Sequence, residues 1–147
     1  MQKKILILCL AIFIFLSIDT FVQADDGFNI FLMRFRAAIR NKDTKFLRKH
    51  IDKNCDYQFM RFGKNSNPNF DEKINYLIAN KSKDILKTLD EGYAIKNNNH
   101  MTYYIFPKKH AEYLLGKASG KEAKIGEYLI YFQKADGTWK MIMFAKY

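Results

Sequence analysis

Between Asp25 and Asn41 apolar side chains recur at helical spacing: Phe28, Phe31, Leu32, Phe35, Ala38 and Ile39 stand at offsets 0, 3, 4, 7, 10 and 11. They make one continuous stripe and predict an amphipathic helix. Asp25 and Asp26 sit where carboxylates complement a helix N-terminus, and Asn41 is the expected stop. Asp43 then caps a second, short helix with Phe46, Leu47 and Ile51 inward. His50 falls at its end, where the helix dipole favours a protonated ring. Cys55, Tyr57 and Phe59 alternate with Asp56 and Gln58, the pattern of a half-buried strand, and the segment Gly63 to Asn69 breaks it. Asn69 caps a helix running to about Asn80, with Phe70, Ile74, Leu77 and Ile78 inward. Ser82 restarts a helix bearing Ile85, Leu86 and Leu89, and Gly92 is expected to end it in the left-handed conformation.

From Tyr93 the period changes to two. Strands are predicted at Tyr93 to Lys96 and Met101 to Phe106, around the turn Asn97-Asn98-Asn99. Pro107 ends the second strand; Ala111 to Leu115 reads equally as a helical turn or a short edge strand. The last hairpin can be given a register. With Asp136-Gly137 as a two-residue turn, Phe132 faces Met141, Ile130 faces Met143, and Glu127 meets Lys146. One face is then apolar throughout, and the other carries Leu129, Tyr131, Ile142 and Phe144 inside a polar rim. That second patch is a candidate homodimer surface.

The N-terminus changes the setting. Lys3 and Lys4, a fourteen-residue apolar run from Ile5 to Ile18, and the small-residue pattern of Val22 and Ala24 read as a secretory signal peptide cleaved after Ala24. A membrane anchor is the competing reading, but spanning a bilayer takes about 20 apolar residues and Asp19 interrupts the run. Residues 25–147 then form one domain, exported to the periplasm or beyond. Cys9 leaves with the leader, so the 123-residue mature chain has Cys55 alone and no intramolecular disulfide.

The whole chain carries a formal charge of +10, and the mature chain +9, concentrated in Arg34 to Lys53. An acidic partner is favoured. Nucleic acid is the usual physical match for such a stretch, but an exported protein seldom meets it, so no nucleic-acid partner is expected. Neither a metal-ligand spacing nor a nucleophile or phosphate-loop motif is present, and no cofactor is expected. The acid-base candidates are His50 and Asp56, with Tyr57 beside them; neighbours on a strand face opposite sides, so only one of Asp56 and Tyr57 can line a pocket. Aromatic residues make up 16% of the chain, and Tyr57, Tyr131 and Trp139 are the candidates for an exposed binding surface.

Helices first and a sheet closing on a long hairpin describe an α+β fold. The stretches FLMRFRAAIRNKDTKFLRKHID and YFQKADGTWKMIMF, with FDEKINYLIANKSKDILKTLDEGY between them, carry a resemblance to the nuclear transport factor 2-like superfamily, the cystatin-like α+β cone. The chain is similar in particular to exported bacterial members of unassigned function, over most of residues 28–147. The resemblance implies helices packed on a curved, mainly antiparallel sheet. It also implies a pocket at the open end of the cone, which some members use for acid-base chemistry on small apolar ligands, while others bind proteins through the outer sheet face. This chain offers no matching catalytic set, and fold does not choose between the two. The reading is an exported, non-enzymatic binding or accessory domain of the bacterial cell envelope, for which a neutraliser of a toxin is one concrete form, its partner a protein or a small apolar ligand. The alternative is a small pocket enzyme: an isomerase, dehydratase or hydrolase.

Overall fold

The computed structural model describes residues 26–56, 68–97, 101–114, 116 and 127–146. The expected leader with its cleavage site, Tyr57, and residues 98–100 of the expected turn lie outside them. Among these residues, five helices and five strands follow in the order α1 (Asp26–Asn41), α2 (Thr44–His50), β1 (Ile51–Asp56), α3 (Phe70–Asn80), α4 (Ser82–Glu91), β2 (Tyr93–Asn97), β3 (Thr102–Phe106), α5 (Lys108–Leu114), β4 (Tyr128–Ala135) and β5 (Thr138–Lys146). The strands form one open, curved sheet in the order β1-β5-β4-β3-β2. β1 runs parallel to β5; every other pair is antiparallel. The fold is α+β, as the periodicity requires.

Local chemistry accounts for most boundaries. Lys42 takes a left-handed φ of 55° just past α1, which lets the Asp43 N–H reach the Ala38 carbonyl at 2.9 Å and close the helix end. The Asp43 side chain accepts from the Phe46 N–H at 3.0 Å and starts α2. Asn69 and Glu72 form a reciprocal capping box on α3, both bonds at 2.9 Å. Residues 108–114, ambiguous in sequence, are helical as α5, which packs beside β2 with the His110 ring 5.1 Å from Phe106. His110 is 7% exposed.

Three expectations are corrected. First, Ile51 is the first residue of β1, not an inward residue of α2; the extended cap at Ile51 ends the helix one residue earlier and starts the strand there rather than at Cys55. Second, Gly92 is not left-handed. Its φ of −84° and ψ of 160° are extended backbone, and glycine is needed there for space, because a Cβ would stand 2.4 Å from the Thr88 carbonyl oxygen and 2.6 Å from Ile105 Cγ2.

The third concerns the final hairpin. Its turn is as expected, with Asp136 and Gly137 both at positive φ, and its register holds from Ala135↔Thr138 to Phe132↔Met141. Beyond that, Tyr131 pairs with Met143 rather than Ile142, so Ile142 is the extra residue of a β-bulge. Every later pair slips by one: Ile130 faces Phe144, and Tyr128 rather than Glu127 faces Lys146. A slip of one residue exchanges the faces of a strand. Phe144 therefore turns inward and is fully buried, and it leaves the proposed dimer patch.

The core lies between the helices and the inner sheet face. Phe28, Phe31 and Phe35 of α1 meet Tyr103 of β3, Phe132 of β4 and Trp139 of β5. α4 adds Ile85 and Leu89, and α3 adds Ile74, Leu77 and Ile78. Arg36 and Arg40 both reach Asp90 at the end of α4, at 2.9 and 3.5 Å, and Arg36 also donates to the Leu89 carbonyl. Among the described residues, the members of this cluster run from Phe28 to Phe144.

Candidate functional site

The acid-base candidates do not converge. His50 ends α2 and Asp56 ends β1, so the length of that strand, on the order of 15–20 Å, separates them. His50 is also not the exposed, dipole-favoured cation expected. Its ring stacks on Phe46 at 4.2 Å and lies 5.4 Å from Phe31, and Nδ1 is 2.8 Å from the Trp139 carbonyl oxygen, which fixes Nδ1–H as donor. Burial pulls its pKa below the usual 6.5; the bond to Trp139 opposes this, and the ammonium groups of Lys49 and Lys140 reinforce it. Asp56 is exposed at the sheet margin.

The sign of the His50 effect is testable. The unfolded ring takes a proton near 6.5 while the folded ring resists it, so stability is fully present above that value and falls as pH drops below it. Between about pH 7.5 and about pH 5 the urea midpoint of the wild type should fall more than that of His50→Phe; equal falls would show that the ring titrates alike folded and unfolded.

Among the described residues, the inner sheet face is packed with aromatic rings. Phe28 stacks on Tyr103 with ring centroids 3.8 Å apart, and Trp139 closes edge-on against both at 4.8 and 5.4 Å. Trp139, expected on an exposed surface, is 7% exposed and belongs to this cluster. It follows the Asp136-Gly137 turn at the inward position opposite Lys134, whose ammonium lies 5.7 Å from its ring.

The outer sheet face is different. There the ladder places Ile95, Tyr104, Tyr131 and Met143 in one row across β2, β3, β4 and β5, all half-buried. Tyr104 and Tyr131 stack at 4.3 Å and 7°, and Phe106 stacks on Tyr104 at 5.6 Å. Burial first, then the neighbouring Tyr104, raises the Tyr131 phenol above its usual pKa, with Thr102 opposing. Of the sequence-selected residues that are described, Tyr131 alone is found in an aromatic surface cluster. Met143 joins it only through the bulge at Ile142, and so was not foreseen.

A second feature was missed altogether. A cleft of about 340 Å³ opens between α4 and the start of β4, lined by Asp84, Lys87, Thr88 and Glu91 on one side and Tyr128 on the other. At its edge Lys81 Nζ lies 3.3 Å from the Tyr128 hydroxyl and 3.5 Å from Asp84. Burial lowers the Lys81 pKa, but Tyr128 and Asp84 together outweigh it and leave the ammonium above its usual range. Asp84, Lys87, Thr88 and Glu91 share a helical face by their spacing, yet nothing in sequence sets that face against Tyr128. Among the described residues, no group of three His, Cys, Asp or Glu side chains converges as metal ligands would.

Compared with protein-family models, with curated proteins and with solved structures, the chain matches none.

Proposed function

We propose that this chain is an exported, non-enzymatic binding domain of the bacterial cell envelope, with a cone-like fold of the nuclear transport factor 2-like kind, which engages a protein partner through its outer sheet face. Neutralising a toxin is one form such a role takes. The observation that carries the reading is the division of the sheet. Its inner side is consumed by the Phe28–Tyr103–Trp139 cluster, while its outer side holds the half-buried row Ile95, Tyr104, Tyr131 and Met143. Stacked tyrosines offer large contact area at low entropic cost and are enriched at interfaces. The pocket-enzyme alternative asks for His50 and Asp56 in one cavity, and they sit at opposite ends of β1.

The test is affinity capture from the native envelope with residues 25–147, wild type against Tyr131→Glu. A partner retained by the wild type and lost by the variant supports the reading. An identical set on both would remove it. Sedimentation of the same two proteins separates a foreign partner from a second copy: equal mass at equal concentration excludes self-association through Tyr131, and a lighter variant makes the partner another copy of this chain.

A further inference from the structure

The outward side of α1 has a character of its own. Ile30 and Met33 are 49% and 63% exposed, two of the four large apolar side chains so exposed among the described residues. With Ala37, also exposed, they stand at offsets 0, 3 and 7, on the side of α1 opposite Phe28, Phe31 and Phe35. Single exposed apolar residues are ordinary; adjacent ones on one helix face are a local concentration. Arg34 flanks the strip, and the chain leaves α1 through Lys42, Lys45 and Lys49. Among the described residues these four cations form no ion pair, whereas Arg36 and Arg40 are held by Asp90 and Arg48 by Asp71.

We propose that this face of α1 docks on a bilayer bearing anionic headgroups, with Ile30 and Met33 entering the interface and Arg34 and the following lysines meeting the phosphates. Apolar side chains bordered by uncommitted cations are what seats a helix in the plane of an anionic membrane surface. The chain before α1 points the same way. The apolar run Ile5–Ile18 ends seven residues before α1, at most about 25 Å of extended chain, so an attached leader seated in a membrane keeps the start of α1 within that distance of it. No helix among the described residues is long and apolar enough to cross a membrane, and the contact is peripheral. An acidic protein is the competing occupant.

The experiment uses residues 25–147, the chain expected after cleavage of the leader. Co-sedimentation is measured with vesicles of phosphatidylcholine alone and with vesicles about one third phosphatidylglycerol. The wild type should bind the mixed vesicles, weaken as salt rises, and partition about tenfold less or lower still in the double variant Ile30→Glu, Met33→Glu. Both positions are exposed, so circular dichroism of that variant should match the wild type. Three results would overturn the proposal: no binding by the wild type, undiminished binding by the double variant, or binding to soluble polyglutamate without binding to vesicles. Tyr131→Glu should leave vesicle binding unchanged, which keeps failure here distinct from failure of the sheet-face reading.

Discussion

Phe28→Ala should cost about 3–5 kcal/mol of folding stability, the range for emptying a buried aromatic site. Phe28 is fully buried where α1 meets the sheet, stacked on Tyr103 and edge-on to Phe132 at 5.8 Å and Trp139 at 4.8 Å. Its neighbours are rings fixed by their own strands, and they cannot collapse into the space it leaves. Net stabilities of about 5–15 kcal/mol make this roughly a fifth or more of the total for a typical domain. Urea unfolding reads it as a lower midpoint at unchanged slope. Met33→Ala, on the opposite side of the same helix, should stay within about 0.5 kcal/mol. Equal, small losses at both positions would mean that α1 is not docked on the sheet.

Gly92→Ala should destabilise by about 1–3 kcal/mol, and the reason is space rather than backbone conformation. Two of the atoms a Cβ would meet are the carbonyl oxygens of Thr88, at 2.4 Å, and Phe106, at 3.0 Å, and neither can swing aside as a side chain could. The third is Ile105 Cγ2 at 2.6 Å, and Ile105 is itself 2% exposed. Relief requires α4 to move off β3. Asparagine separates the two explanations, because it tolerates the left-handed region that glycine occupies. Gly92→Asn should be at least as damaging as Gly92→Ala. Gly137→Asn, at φ 73° with nothing near its Cβ position, should be milder than either. A harmless Gly92→Asn would return the position to the left-handed cap that the sequence suggests.

That contrast shows what kind of information each level carries. The stop after Leu89 is legible, because glycine after an amphipathic run punctuates a helix for more than one reason. Which reason applies depends on Ile105 and Phe106, which lie more than a dozen residues away. The final hairpin divides in the same way. Asp136-Gly137 specifies its turn locally and sets the pairs nearest to it, but the bulge at Ile142 has no local sequence signal. A register carried past it assigns Phe144 to the wrong face. Of the candidate residues, Tyr131 stands at the outer surface, Trp139 lies in the core, and His50 is drawn under Phe46 and bonded to Trp139. Each outcome was decided by a partner distant in sequence.

What the sequence determined by itself is the set of elements and their inner faces: the stripe of α1, the caps of α2 and α3, the change to a period of two at Tyr93, and the final turn. These follow from interactions within a few residues, between side chain and backbone or between successive turns of one helix. The parallel placement of β1 against β5, the slip at Ile142, the aromatic filling of the interior, the surroundings of His50 and the cleft beside Tyr128 were decided only in the tertiary structure. Each depends on which surfaces meet, and a burial pattern records that a face is covered without recording what covers it.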